Sequence, residues 1–389
     1  MDDRQAITLV GGGLAGTLLA ALLARQGWAV QLLEAQRLDE APAPERDLRT
    51  LALAAASWAE LATLGITPTS VQAAPIRRIH VSFRGRPGRV LLDADDSGQP
   101  DFGHTVGYGR LLQALRARLS GLPGLTITDG CQVDEVGGSG IAARVAWRDR
   151  AGQAHSRLAP LVVVADGGGL RNGGPALSWR YRQQALSCRV ETDPAGGTTA
   201  FERFTVAGPV ALLPAGSGYA LIWTAPAARI QALLACPEAE FLRQLQDWFG
   251  DRAGRFTACS ARLAYPLTSR FQLRAAGRRV VRIANAAQTL HPVAGQGFNL
   301  GLRDATRLAR LLGSPGAGDP GSPALLAAYR AARQRDRGVT SGITHLLAGA
   351  FALPLPGMAL GSALGFALLD GSPLLRRGFA RLMGEGVAP

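Results

Sequence analysis

Lysine is absent from this 389-residue chain, so all 42 of its basic side chains are arginines. Acidic residues number only 29, which leaves a formal net charge of +13. Such an excess suits nucleic acid or acidic lipid. The arginines are scattered, however, and no basic run is interleaved with aromatics as in a nucleic-acid-binding face. Compositional bias toward Ala, Gly, Pro and Arg is the simpler interpretation, and we expect no nucleic-acid partner.

Cysteine is also scarce, and its four residues are widely and irregularly spaced, at Cys131, Cys188, Cys236 and Cys259. No C-x-x-C pair occurs, so neither a zinc site nor a disulfide framework is indicated. Reduced thiols are typical of cytosolic proteins. The chain begins Met-Asp-Asp, without the basic and apolar regions of a signal peptide. We therefore expect a cytoplasmic protein without a metal site.

Charge is sparse as well, at 18% of residues against 47% hydrophobic ones, which indicates a globular and rather apolar protein. The segment Leu346–Leu369 carries no charge over 24 residues, and a membrane span needs about 20. Pro354 and Pro356 interrupt it. For residues 341–389 we predict an apolar helical region, broken into two helices that pack on the protein or touch the inner membrane peripherally. A true span is the less favoured alternative.

A glycine-rich motif follows the apolar strand predicted over residues 6–10. It matches G-x-G-x-x-G at Gly11, Gly13 and Gly16, and a helix, a second strand and Glu34 come after it. That order is the context that a dinucleotide-binding motif requires. Gly11 permits the tight turn, Gly13 lets the backbone approach a pyrophosphate, and Gly16 lets the helix pack closely on the strand. Glu34 can accept hydrogen bonds from ribose hydroxyls.

A second glycine turn lies far downstream. Val280–Ile283 is typical of a buried strand, and Gly295-Gln296-Gly297 opens a helix with leucines at helical spacing. The unpaired N–H groups at a helix N-terminus suit an anion or the electron-rich edge of a heterocycle. The chain thus carries two cofactor-binding elements, and we expect one extended dinucleotide to span both.

Between the two glycine turns the pattern does not continue as regular βαβ units. Strands dominate instead, so we predict an α/β protein in which a dinucleotide-binding domain is interleaved with a sheet-rich substrate domain. The predicted ranges are 1–75, 105–175 and 277–340 for the first domain, 76–104 and 176–276 for the second, and 341–389 for the C-terminal helical region.

These residues resemble the class A flavoprotein monooxygenases, which share the para-hydroxybenzoate hydroxylase fold. In particular the chain looks like their ubiquinone-biosynthesis branch, of the 2-octaprenyl-6-methoxyphenol hydroxylase (UbiH) type. The resemblance runs nearly the full length, and its most specific parts are Asn285–Pro292 and Gly295–Asp304. It implies a Rossmann-like FAD-binding domain. Further support comes from the N-terminal glycine motif, Asp47–Leu53, Asp166-Gly167, Tyr329, Arg333 and Asp336.

The resemblance implies that FAD binds in extended form across the dinucleotide domain. In that pattern Arg49 lies along the cofactor, Asn285 hydrogen-bonds its ribityl chain or phosphate, and the Gly295–Gly297 turn covers the pyrimidine edge of the flavin. Pro292 would line the face where the substrate meets the ring. The cofactor-binding residues implied are Gly11, Gly13, Gly16, Glu34, Arg49, Asp166, Asn285, Gly295, Gln296, Gly297 and Asn299.

The resemblance also implies the chemistry. NADPH, or NADH, reduces the flavin, which reacts with dioxygen to a flavin hydroperoxide that hydroxylates an electron-rich ring. The substrate implied is a polyprenylated phenol of ubiquinone biosynthesis, and the partners are the membrane surface or a quinone-biosynthesis assembly. Alternatives are a hydroxylase of another, soluble aromatic compound, or a non-catalytic flavin-binding scaffold subunit.

His291 invites a role as catalytic base, because its ordinary pKa lies near neutrality and a phenol hydroxylase benefits from deprotonating its substrate. The interpretation that we favour is that it orients the turn by hydrogen-bonding backbone. Arg303 and Asp304 are interpreted as helix-surface or structural pairing. The chain departs from the family pattern at Ala284, where the wider family has glycine.

Overall fold

The structure, a computed structural model, describes residues 6–39, 43, 47–85, 89–170, 174–291, 295–316 and 318–350. Within these ranges, single 3₁₀ turns lie at Thr69–Val71, Asp95–Ser97, Asp251–Ala253 and Ala284–Ala286. The helices are α1 (Leu14–Arg25), α2 (Ala55–Ala62), α3 (Tyr108–Ala117), α4 (Ala227–Ala235), α5 (Glu238–Phe249), α6 (Gln296–Leu312) and α7 (Pro323–Ala350).

The strands of the described residues form four sheets. In chain order they are β1 (Ile7–Val10), β2 (Val30–Glu34), β3 (Thr50–Ala54), β4 (Ala74–Pro75), β5 (Arg78–Phe83), β6 (Arg89–Asp93), β7 (Gly103–Gly107), β8 (Leu125–Asp129), β9 (Gln132–Gly138), β10 (Ala143–Arg148), β11 (Ala154–Ala159), β12 (Val162–Val164), β13 (Ala176–Asp193), β14 (Thr199–Phe204), β15 (Val210–Ala215), β16 (Gly218–Pro226), β17 (Arg255–Cys259), β18 (Leu263–Gln272), β19 (Ala276–Gly277), β20 (Val280–Arg282) and β21 (Gln288–Thr289).

The first layer is a six-stranded sheet in the order β19-β20-β12-β1-β2-β8, parallel except for the edge strand β19. Every residue of β1, β2, β12 and β20 is buried, as parallel strands covered on both faces require. Because these four strands run in the same direction, their carboxyl ends meet at one edge of the sheet. That edge carries Gly11, Glu34, Asp166 and Ala284.

The second layer is a nine-stranded sheet in the order β21-β18-β13-β16-β15-β14-β5-β6, with β17 paired to β13. The long strand β13 spans 18 residues and pairs with β16, β17 and β18. One face of this sheet is covered by α4 and α5, where Trp223, Phe241 and Phe249 are buried in one cluster. The opposite face, which carries Leu213 and Ile222, closes over the carboxyl edge of the first layer.

Two three-stranded sheets complete the described fold, in the orders β3-β7-β4 and β11-β10-β9. The sheet of β9, β10 and β11 packs on the parallel sheet through a cluster that includes Val133, Val145 and Val162. The sequence patterns did not predict this small sheet. Strands β9 and β11 give a weak alternating signal, because Asp134 and Glu135 are consecutive exposed residues in β9 and Leu158 is exposed in β11.

The predicted α/β architecture, a dinucleotide-binding sheet interleaved with a strand-rich unit, is confirmed. The domain ranges assigned from the sequence stay a prediction. Among the described helices, none combines the length and the apolarity needed to cross a membrane. Most of the predicted C-terminal region, residues 351–389, lies outside the described residues.

Candidate flavin site

The first glycine turn is shaped by close backbone contacts. Gly11 has φ +101°, and a Cβ there would lie 2.6 Å from the carbonyl oxygen of Ala165. A Cβ at Gly16 would lie 1.9 Å from the carbonyl oxygen of Gly11. Gly13 differs, because a Cβ there would meet only the hydroxyl of Tyr108, at 3.5 Å. Gly11 and Gly16 are therefore fixed by the fold, whereas Gly13 faces open space in front of α1.

A single large cleft connects the two glycine turns, with a volume of about 1550 Å³. Pockets for one drug-sized ligand usually measure roughly 300–1,000 Å³, so this cleft has room for a dinucleotide and a second molecule. Predicted residues that line it beside the first glycine turn are Gly11, Gly13, Glu34 and Arg49. Asp166 lines it next to Gly11, and Asn285, Gly295 and Gly297 line it as well.

Glu34 is buried at the end of β2, beside the first glycine turn. One carboxylate oxygen accepts the N–H of Gly12, and the other accepts the N–H of Gln36 at 2.8 Å. A carboxylate oxygen can accept more than one hydrogen bond. Glu34 thus braces the turn and retains acceptor capacity toward the cleft that it lines.

Three side chains add two positive charges and an aromatic ring to the cleft beside the first glycine turn. Arg49 forms an ion pair with Asp47 at 2.6 Å, and its guanidinium lies 3.7 Å from the ring centroid of Tyr108. Arg116, on α3, donates to the carbonyl oxygen of Gly12 at 3.4 Å and also lines the cleft. Tyr108 and Arg116 were missed by the sequence analysis, since only the packing of α3 against the glycine turn reveals them.

The turn at Ala284–Ala286 forms the other end of the cleft. Ala284 has φ +52°, in the left-handed region that favours glycine. Its N–H donates to Oδ2 of Asp304 at 3.0 Å, and a Cβ at Gly301 would lie 2.7 Å from the Cβ of Ala284. The alanine therefore keeps the backbone shape that glycine would adopt, while α6 holds it in place. This shape leaves Asn285 exposed and facing the cleft.

A buried charge network ties this turn to α6 and α7. Asp304, fully buried, also accepts Nε2 of Gln288 at 2.6 Å and Nε of Arg333 at 2.8 Å. Arg333 in turn pairs with Asp336 at 2.5 Å, which pairs with Arg303 at 2.9 Å. Although burial acts in the opposite direction, Arg303 and Arg333 lower the pKa of Asp336 below its usual value. Structural pairing of Arg303 and Asp304 is confirmed, but Asp304 lies in the interior and not on a helix surface.

Asn299 lies behind the second glycine turn with its amide turned toward the protein. Its Oδ1 accepts the N–H of Ala54 at 3.0 Å and the hydroxyl of Ser57 at 2.7 Å. Its Nδ2 donates to the carbonyl oxygens of Ala52, at 2.9 Å, and Gly295, at 3.3 Å. These contacts position the turn, whereas a direct contact of Asn299 with the cofactor stays a prediction. The backbone of Gln296 begins α6, and its side chain is outside the described part.

His291 is buried, with 2% of its surface exposed, and is not among the described residues that line the cleft. Its ring meets that of Tyr181 edge-on at a centroid distance of 4.9 Å. Burial, with a contribution from His345, lowers the pKa of His291 to about 4. It is therefore a neutral, weakly basic imidazole at pH 7, and its role as catalytic base stays a prediction. Pro292 lies outside the described residues.

A family model described as an FAD binding domain matches residues 4–171 and 229–338. The chain belongs to this FAD-binding family. Ubiquinone hydroxylase UbiL of Rhodospirillum rubrum is 33% identical to it, over 98% of this chain and 89% of the relative. The 3-demethoxyubiquinol 3-hydroxylase of Escherichia coli is 30% identical, over 95% of this chain and 96% of the relative.

Solved structures confirm the monooxygenase fold. The p-nitrophenol 4-monooxygenase PnpA from Pseudomonas putida DLL-E4 superimposes with a TM-score of 0.79 at 18% identity, over the full length of both chains. PqsL from Pseudomonas aeruginosa gives a TM-score of 0.75 at 20% identity, over 93% of this chain and 99% of that one. The chain is an FAD-dependent monooxygenase, and NAD(P)H and dioxygen are the co-substrates of its class.

The residues present fit FAD. The N-terminus of α1 has no side-chain cap, so its N–H groups are available to a pyrophosphate, and Arg49 and Arg116 supply positive charge beside it. Glu34 offers acceptors for a ribose, and Asn285 an amide at the other end. When bound, FAD would supply the electron transfer and the activation of dioxygen. In this assignment the protein's part would be to hold it extended between the two glycine turns.

The open side of Gly13 gives a selective test of this assignment. We predict that Gly13→Val leaves the fold intact, because a Cβ at this position meets only the Tyr108 hydroxyl, but weakens FAD binding at least about tenfold by filling the pyrophosphate approach. The measurement is the absorbance of protein-bound flavin. Gly137→Val is the matched control, since a Cβ at Gly137 has no atom within 4 Å and Gly137 does not line the cleft. Full flavin occupancy in Gly13→Val would contradict the assignment.

Burial of His291 predicts a pH dependence of stability. The pKa of about 4 in the folded state lies below the ordinary 6.5, so the unfolded chain binds the additional proton between these values. The contribution of His291 to the free energy of unfolding is therefore fully present above pH 6.5 and is lost as pH falls toward 4. Relative to His291→Gln, the free energy of unfolding of the native chain should fall by roughly 3 kcal/mol between pH 7 and pH 4. Urea unfolding measures this difference, and identical pH profiles would refute the buried neutral state.

Proposed function

We propose that this protein hydroxylates the aromatic ring of a polyprenylated phenol in ubiquinone biosynthesis. The observation that carries the proposal is the apolar wall at the flavin end of the cleft. Leu213 and Ile222 of the large sheet line the same cavity as Asn285 and Gly295. A phenolic ring fits between this wall and a flavin that is held by the turn.

The near full-length relatives support the substrate class. Two of them are named as a ubiquinone hydroxylase and as a 3-demethoxyubiquinol 3-hydroxylase, and each matches at least 95% of this chain. A substrate of that kind carries an apolar tail, so we further propose a peripheral encounter with the inner membrane. Large apolar side chains exposed at one end of the sheet, including Leu177, Trp179 and Leu273, would suit that encounter.

The residues of the chain account for the remaining requirements of the reaction. Leu213, Ile222 and the body of Tyr265 form a wall that excludes water from the ring. The Asp304 network fixes the backbone of Ala284, which orients Asn285 toward the cleft. We also propose that the predicted substrate domain, residues 76–104 and 176–276, supplies this wall, while the FAD-binding ranges supply the turn.

The proposal is tested with purified, FAD-loaded protein, NADPH, air and a short-tailed prenylphenol. We predict that the phenol stimulates NADPH oxidation and gains one oxygen atom on the ring, detected by mass spectrometry. In the host, deletion of the gene should cause a quinone precursor lacking one hydroxyl to accumulate. Reduction of the flavin by NADPH without any hydroxylated product would overturn the substrate assignment. A flavin that NADPH never reduces would contradict the monooxygenase activity itself.

A further inference from the structure

One row of paired residues crosses the large sheet at the wall of the cleft. Directly opposed residues of neighbouring strands project from the same face of a sheet. From β18 to β6 the row consists of Leu263, Ser187, Ile222, Ala211, Glu202, Val81 and Val90. Of these seven residues only Glu202, on β14, has an ionisable side chain.

This row lies on the face that covers the cleft. Ile222 lines the cleft, and so does Leu213, which is two residues from Ala211 on β15 and thus on the same face. Glu202 is opposite Ala211, which makes it the diagonal neighbour of Leu213. Diagonal neighbours lie roughly 7–8 Å apart, within reach of a long side chain. Glu202 is not itself among the described residues that line the cleft, so its carboxyl group lies one strand beyond Leu213, next to the wall.

The adjacent side chain confirms this direction. Phe201 projects from the other face, where its ring meets those of Tyr219 and Phe249 beneath α5. Glu202 as a residue is partly exposed, yet its Oε1 is buried and has no hydrogen-bond partner in the described part of the chain. A buried polar atom without a partner is unfavourable. A hydroxyl donor on a bound ligand would satisfy it.

Among the described residues, none of the directly paired neighbours of Glu202 carries a charge. Arg203 is directed to the other face, where it donates to the carbonyl oxygen of Trp248 at 3.2 Å and to Ser82 at 3.4 Å. The directly paired residues on β5, β6 and β15 are Val81, Val90 and Ala211. Burial alone raises the pKa of Glu202 to about 7.

The other titratable groups that the structure describes near this region are paired or distant. Strand β7 packs against β15, and its His104 lies 3.6 Å from Asp101, with its ring against Trp58. On β13, Arg189 and Glu191 belong to the same face, but β16 and β15 separate them from Glu202. The protonation of Glu202 is therefore governed by its own burial and by what occupies the cleft.

We propose that Glu202 recognises a ring hydroxyl of the aromatic substrate by accepting its hydrogen bond. This inference rests on the proposed function and adds a specificity-determining residue to it. A phenol can donate such a bond, whereas its methyl ether cannot. A site built around one hydrogen-bonding group discriminates strongly against a ligand that lacks the matching group.

The test uses 2-geranylphenol and its methyl ether as probes, titrated into the FAD-loaded protein and followed by changes in flavin absorbance. The wild type should bind the phenol at least about tenfold more tightly than the ether at pH 8. That preference should decline as pH falls through 7, because Glu202 becomes protonated in this range. The phenol does not ionise there and so does not contribute to the change. In Glu202→Gln the ratio should no longer change with pH. Glu191→Gln, exposed on the same face, should behave as the wild type.

The possible results distinguish the role of Glu202 from the proposed hydroxylation of a polyprenylated phenol. A wild type that binds both probes equally at every pH overturns the role of Glu202 alone, and so does a Glu202→Gln variant with the wild-type pH dependence. A wild type that neither binds nor hydroxylates the phenol overturns the proposed function and this inference with it. The comparison of the two probes in the wild type holds even if the variant fails to fold.

Discussion

The carboxylate of Asp304 is the contact on which the Ala284–Ala286 turn of the candidate site depends. It receives hydrogen bonds from three segments, through Arg333 on α7, Gln288 of β21 and the backbone of Ala284. Removing one partner from a buried charge pair costs about 3–5 kcal/mol, because the other charge is left uncompensated. The turn therefore cannot relax without disrupting the packing of α6 against α7. A strained backbone at Ala284 is maintained in this way, and Asn285 stays turned toward the cleft.

Topology explains how two distant segments build one site. Strand β12 lies between β1 and β20, so the carboxyl ends of the first and the last parallel strands are separated by one strand only. The glycine turn after β1 and the turn after β20 consequently open into the same cleft. The large sheet then closes the cleft from above, because β13 connects it directly to the segment that follows β12.

Local patterns were sufficient to predict the fold class and a dinucleotide cofactor. Gly11, Gly13 and Gly16 occur between a strand and a helix, and this context is contained in about 30 residues. The features of the site that the sequence did not predict depend on long-range packing. Nothing in the sequence near Asn299 shows that its amide is occupied by β3 and α2, and nothing near His291 shows its burial. Tyr108 and Arg116 likewise reach the first glycine turn only through the packing of α3.

The central claim is that one extended FAD joins the two glycine turns, and a crystal structure of the FAD complex measures it most directly. Our account predicts continuous electron density with the pyrophosphate at Gly13, the adenosine ribose at Glu34 and the isoalloxazine ring between Gly297 and the wall of Leu213 and Ile222. Density for the cofactor outside this cleft, or a flavin ring remote from the Ala284 turn, would contradict it.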